Sequence, residues 1–200
     1  WGIDKISDGD SRIAGLQKML VSSSDKVDRN AAFNICNKSD VIIAAMGENA
    51  TLCGEGRIRK GIRLPGDQEK FVEDLISTGK PVILVVFGGR AQVLSEKIRN
   101  GAMAILSAWY PGEEGGNAVA DIIMGKKSPS GKLCVSYPSD ESREPLCYNY
   151  GEPVSERVAY PFGHGLSYSN FKYTLKDCTT KAELGNDIIR IAVEITNDGD

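Results

Sequence analysis

The sequence predicts an α/β fold with a mainly parallel sheet, followed by an incomplete β-sandwich segment. Short apolar runs at 41–46, 82–87 and 102–107 alternate with segments of helical periodicity, the order in which right-handed crossovers join parallel strands. Beyond Ser167 the period falls to two, as half-exposed antiparallel strands require.

Asp10 to Leu20 sets Ile13, Leu16, Met19 and Leu20 on one helical face, behind a polar start able to cap free N–H groups. A second helix over 26–38 turns Val27, Ala31 and Ile35 inward, and Ser39-Asp40 leads into a buried strand, Val41 to Met46. Periodicity then disappears over 47–64, where four glycines and six charged side chains make a long loop at the strand's carboxyl end. Loops of this length in compact domains are usually functional or disordered. A helix opens at Pro65-Gly66 with Phe71, Val72, Leu75 and Ile76 inward, and Gly79 and Pro81 stop it. A buried strand over 82–87, a helix over 91–100, a turn at Gly101 and a strand over 102–107 follow. After Trp109-Tyr110-Pro111-Gly112 come a helix over 116–124, a turn at Ser128 to Gly131 and a short strand over 132–137. Residues 138–165, rich in Pro, Gly, Ser and Tyr, form a long surface excursion. Phe171 and Tyr173, then Ile189, Ile191, Val193 and Ile195, alternate with polar residues as strands do.

Among 200 residues, 24 basic and 27 acidic side chains are interspersed to a net charge of -3, which creates no field for a phosphate backbone or an anionic bilayer. Neither nucleic acid nor membrane is expected as a partner. No apolar run approaches the roughly 20 residues of a membrane span. The chain opens at Trp1 with neither an initiator Met nor a signal-like stretch, the appearance of a piece of a longer precursor. Cys36, Cys53, Cys134, Cys147 and Cys178 show no C-x-x-C spacing and read as small buried hydrophobes, with at most one disulfide, Cys134 to Cys147.

Ligands of open α/β sheets bind outside the carboxyl ends of the strands, which makes the 47–64 loop the leading candidate site. Glu48, Asn49, Glu55, Arg57 and Arg59 fall within it, and Glu55 lies between Gly54 and Gly56, whose backbones allow close approach by a ligand. A carboxylate so presented suits proton transfer. On spacing alone Glu55 could equally form a solvated ion pair with Arg57 or Arg59. No phosphate-binding G-x-G-x-x-G or Gly-Lys-Ser/Thr pattern follows the strand. His164, the one histidine, stands in a glycine-rich turn without the companions of a metal site or triad, so a structural or subsite hydrogen bond is its expected role. Trp109 and Tyr110 at a strand end read first as packing, with sugar stacking as the alternative.

Four segments together resemble family 3 glycoside hydrolases, especially bacterial β-glucosidases built from a barrel, an α/β sandwich and a fibronectin type III-like domain. They are SDVIIAAMGENATLCGEGRIRKGIRLPGDQ at 39–68, GKPVILVVFGGR at 79–90, AWYPGEEGGNAVADIIMGKKSPSGKLCVSYP at 108–138 and YPFGHGLSYSNFKY at 160–173. The resemblance implies a three-layer α/β sandwich over 1–166, lacking its first strand, and a truncated fibronectin type III-like domain over 167–200. It implies a retaining β-glucosidase acting on oligosaccharides or β-glucosides, periplasmic or secreted, without cofactor or metal. Its nucleophilic Asp would lie on an N-terminal barrel domain of the same polypeptide. Cys53-Gly54-Glu55-Gly56 is similar to the family's S-G-E-G loop, which makes Glu55 the acid/base candidate and Glu48, Asn49 and Arg57 candidate substrate contacts. Cys53 stands where the family usually has Ser, and Gly61 where an acidic residue often follows the arginine pair. A β-xylosidase, or a noncatalytic sugar- or partner-binding module of the same fold, are the other readings.

Overall fold

The structure, a computed structural model, describes residues 28–49, 52–55, 59, 61–143, 157–181 and 188–199. The helix expected over 10–20, together with Arg57 and Cys147, lies outside them. The chain divides into two compact units. One takes its described residues from Trp1–Gly116 and Leu133–His164, the other from Asn117–Lys132 and Gly165–Asp200.

The first unit holds α1 (Arg29–Cys36), β1 (Ile42–Gly47), α2 (Gln68–Ile76), β2 (Val82–Phe87), α3 (Glu96–Gly101) and β3 (Ala104–Trp109). The three strands form a parallel sheet in the order β1-β2-β3, with Ile42 opposite Val82 and Ile83 opposite Ala104. The α/β expectation is met. Strand β2 is central, and Val82, Leu84, Val85 and Val86 are all buried, because neighbours on both edges and side chains on both faces enclose it. Val72 and Leu75 of α2 and Ile98 of α3 pack into the same core with Leu64 and Leu94.

Four local expectations change. Helix α1 turns Phe33 and Cys36 to the core and leaves Ile35 67% exposed, the reverse of the expected face. In so short a helix the larger ring decides: Phe33 meets Phe71 edge to face at 5.7 Å, and the Arg29 guanidinium lies 5.2 Å from the Phe71 ring centre. Strand β1, an edge strand among the described residues, is buried on one face only, Ile43 being 56% exposed, because successive side chains point to opposite faces and one of them is uncovered. Helix α3 starts at Glu96, because Ser95 caps it by accepting from the Ile98 N–H at 3.3 Å, and residues 91–95 run extended with Val93 bridging Arg63. Strand β3 begins and ends two residues beyond its expected 102–107 span.

The expected strand over 132–137 shrinks to β4 (Tyr137–Pro138), which pairs antiparallel with β5 (Val158–Tyr160) inside the 138–165 excursion. A 3-10 turn, Glu141–Arg143, stands between them in sequence. Cys134 is a free thiol, so the one disulfide the sequence allowed is not formed, and Cys36, Cys53, Cys134 and Cys178 are half-buried or exposed rather than buried as expected. Helix α4 (Gly115–Ile123) crosses the division between units.

In the second unit β6 (Phe171–Lys181) and β7 (Ile188–Asn197) pair antiparallel as expected, with Tyr173 opposite Ile195 and Leu175 opposite Val193. The Tyr168 hydroxyl donates to the Ile122 carbonyl at 2.6 Å, and Ser128 and Ser167 hydroxyls meet at 2.9 Å.

Leu84→Ala should cost about 2–5 kcal/mol in denaturant unfolding, as core truncations do. Ile35→Ala should stay within about 0.5 kcal/mol. A large loss at Ile35 would restore the face expected from periodicity.

Candidate active site

The carboxyl edge of the sheet is built from glycines and one buried acid. Gly47 ends β1 at φ 137°, where a side chain would overlap the Phe87 carbonyl, so only glycine lets the two strands stay in register here. The Gln68 side chain completes that edge, accepting from the Gly47 N–H at 2.7 Å and donating to its carbonyl at 3.0 Å, as a neighbouring strand would. The next residue, Glu48, donates its N–H to the Phe87 carbonyl at 2.9 Å and sends a fully buried side chain inward.

Two guanidinium groups meet that carboxylate on one oxygen. Arg59 approaches Glu48 Oε1 at 2.9 Å and Arg90 at 2.6 Å. Each arginine also grips backbone: Arg59 donates to the Arg63 carbonyl at 2.6 Å, and Arg90 donates from two nitrogens to the Leu52 carbonyl at 3.4 and 3.3 Å. The end of the loop is held again by Glu141, which accepts from the Ile62 N–H at 2.8 Å and faces Arg63 Nε at 3.4 Å. Gly61, at φ 77°, lies so close beneath that carboxylate that a side chain there would overlap it.

Between these anchors the loop presents Glu55. It is exposed, preceded by Gly54 at φ 140°, and makes no ion pair with any described residue. Of the two pairs expected as alternatives, that with Arg59 is not realised, because Arg59 turns inward to Glu48, and that with Arg57 lies outside the described residues. Asn49 is half-buried at the start of the loop, where its carbonyl accepts from the Leu52 N–H at 3.1 Å. Cys53 packs over Gly89, where a side chain would come within 2.6 Å of its sulfur, and is hydrogen-bonded to the Tyr110 hydroxyl. Trp109, a non-glycine residue at φ 50°, turns the end of β3 so that Tyr110 reaches this point. Trp109 itself packs on Tyr137 at 6.1 Å, Tyr137 on Tyr160, and Tyr160 on His164 at 5.4 Å, so the histidine closes an aromatic row. Burial raises the Tyr137 hydroxyl above its ordinary pKa, against the pull of its hydrogen bond to Ser107.

Sequence reasoning had no role for Arg90, Gln68 or Glu141. Arg90 does carry a signal, a charge directly behind Gly88-Gly89 at the end of a buried strand. Glu141 carries none, since its partners stand 78 and 79 positions away. Among the described residues no group of three or more His, Cys, Asp or Glu could hold a metal ion. No helix among them is long and apolar enough to cross a membrane.

The profile of the family described as "Glycosyl hydrolase family 3 C-terminal domain" matches residues 5–168. The chain belongs to glycosyl hydrolase family 3. Similar proteins include the "Periplasmic beta-glucosidase" of Salmonella typhimurium, 34% identical over 188 residues, which cover 84% of this chain and 24% of that protein. The "Beta-xylosidase" of Formosa agariphila is 34% identical over 190 residues, covering 90% and 26%. The chain thus spans about a quarter of the length of these relatives. Among solved structures, the β-glucosidase of Listeria innocua in complex with glucose superposes with a TM-score of 0.77 at 30% identity, over 90% of this chain and 27% of that one. The β-glucosidase of Kluyveromyces marxianus gives 0.76 at 28% identity, over 86% and 22%.

In this family 3 domain the Cys53 bond and partial burial push the Tyr110 hydroxyl up to about 12 from 10.0. A pKa raised in the folded state means that the protonated hydroxyl's contribution is complete below pH 10 and is lost as pH rises towards about 12. Ultraviolet difference titration of the wild type against Tyr110→Phe should therefore lack a tyrosine ionising near 10. A Tyr110 component at the ordinary value would mean that the Cys53 contact is not formed in solution.

Proposed function

We propose that this chain supplies the acid/base of a retaining β-glucosidase, with Glu55 as that residue. The enzyme would hydrolyse terminal non-reducing β-D-glucosyl residues of oligosaccharides or glycosides. One observation carries the reading: Glu55 stands exposed at the carboxyl edge of a parallel sheet while Arg59, one of its two candidate ion-pair partners, is committed to Glu48. In this reading the carboxylate serves a substrate rather than an ion pair.

In this proposal the nucleophilic Asp comes from an N-terminal barrel domain of the same polypeptide. Retention requires the two carboxyl groups about 5–5.5 Å apart. Glu55 protonates the departing glycosidic oxygen as the Asp attacks the anomeric carbon. It then takes a proton from the water that opens the glycosyl-enzyme, so no cofactor is needed. Asn49 and Arg57 contact the sugar from the loop, whereas Glu48, being fully buried, acts from behind through its arginines. In this reading residues 1–166 belong to an α/β domain and 167–200 to a fibronectin type III-like domain. The periplasm, or the cell exterior, is the proposed location, in keeping with the name of the Salmonella relative. A β-xylosidase is the second reading, because the Formosa relative matches equally well at 34% identity.

In the full-length polypeptide Glu55→Gln should slow hydrolysis of substrates with poor leaving groups by about 10²–10⁴-fold, with azide restoring turnover of the glycosyl-enzyme. Unchanged rates without azide rescue would move the acid/base role elsewhere. The ratio of kcat/KM for an aryl β-D-glucoside to that for the β-D-xyloside decides the sugar.

The isolated 200-residue chain should release no nitrophenol from an aryl β-glucoside above its own Glu55→Gln control. Release above that control would overturn the division of the site between two domains.

A further inference from the structure

Glu55 has no ion-pair partner of its own among the described residues, so the position of its carboxylate depends on where the backbone before it is held. Gly54, at φ 140°, gives that backbone unusual freedom. Behind it Cys53 packs over Gly89, and the carbonyl of Leu52 is held by Arg90 from outside the loop. Arg90 follows Gly88-Gly89 at the end of the central strand β2, the most rigidly enclosed element of the unit. Its guanidinium is in turn locked by the buried Glu48 carboxylate at 2.6 Å.

We infer that Arg90 is a positioning residue for Glu55, with Glu48 as the fixed point against which it works. The inference rests on the acid/base reading of Glu55. Two features favour Arg90 over Arg59, the other arginine on Glu48. Arg59 ties Glu48 to Arg63, eight positions beyond Glu55, and so closes the far end of the loop. Arg90 ties it to Leu52, three positions before Glu55, with Cys53 seated over Gly89, the residue next to Arg90. The tip is therefore registered against the end of β2 through two adjacent residues.

The geometry needs an arginine. One planar group reaches a carboxylate and a carbonyl together through separate N–H bonds, whereas a lysine ammonium offers a single point charge on a flexible stem. Lysine at this position keeps the charge beside Glu48 and loses the fork. A displacement of about 1 Å at a reacting group can cost about 10²-fold in rate, and here it would fall on proton transfer rather than on sugar binding.

The test uses the full-length polypeptide carrying Arg90→Lys, with Glu55→Gln in parallel and Arg29→Ala as a stability control. Arg29 pairs with Asp74 at 3.0 Å on the α1–α2 surface, away from the loop. For a series of aryl β-glucosides, Arg90→Lys should lower kcat about 10²-fold for poor leaving groups and less than about tenfold for good ones, with KM nearly constant. Arg29→Ala should lower Tm without changing that dependence. Equal losses for all leaving groups, or a wild-type profile, would overturn the inference while Glu55→Gln still shows azide rescue. If Glu55→Gln itself shows neither leaving-group dependence nor rescue, the acid/base reading has failed and the inference falls with it. Should Arg90→Lys not fold, Arg90→Gln read with the same substrates, with and without added guanidinium ion, gives the same decision: restored turnover of poor leaving groups supports the role, and absent restoration in a folded variant refutes it.

Discussion

A single buried carboxylate organises the edge of this domain. Taking the charge of Glu48 out of water costs several kcal/mol, and it is tolerable only because two guanidinium groups meet it. Both use Oε1, and Oε2 has no hydrogen-bond partner among the described residues, so the pairing is asymmetric. Removing one partner from such a buried pair typically costs about 3–5 kcal/mol, because the remaining charge stays behind. The consequence here is local and mechanical, since each arginine passes the constraint on to a backbone carbonyl at one end of the loop.

The sheet makes that arrangement available. Gly47 brings β1 close enough to β2 for Glu48 to bond the Phe87 carbonyl, and this fixes the direction in which its side chain enters the core. Gly88, at φ 153°, lies against the Gln92 side chain and Glu48 Oε2, so a larger residue would push into the buried carboxylate. On the other edge, a register shift after Val86 and the left-handed backbone of Trp109 bring Tyr110 over Gly89. Cys53 occupies the place where the family usually has Ser, and the Tyr110 hydroxyl meets it. A sulfur is larger and a weaker hydrogen-bond partner than a hydroxyl, so packing on Gly89 contributes to holding the tip alongside the bond.

Gly61 and Glu141 illustrate how a loop can draw its carboxylate from elsewhere in the chain. Gly61 follows Arg57 and Arg59 in the sequence and has no side chain of its own. The Glu141 carboxylate lies over it, bonding the Ile62 N–H and pairing with Arg63. Position and partners are thus supplied by a 3-10 turn far away in sequence.

The amino-acid order by itself determined the class of the fold. A short apolar run alternating with helical segments is the pattern of a strand buried on both faces of a parallel sheet, and β2 with the Val72 and Leu75 face of α2 was legible for that reason. The same holds for Glu55, since a carboxylate between glycines on a long loop at a strand's carboxyl end is a local pattern. The inward face of α1 was not legible, because two faces of a short helix offer similar apolar area and only the approach of Phe71 chooses between them. Nor was the commitment of Arg59, Arg90 and Glu141, because charge pairing depends on distance in space and their partners come from different elements. Sequence determined which residue is presented; tertiary structure decided what holds it, since a carboxylate's surroundings are set by packing and not by its neighbours in the chain.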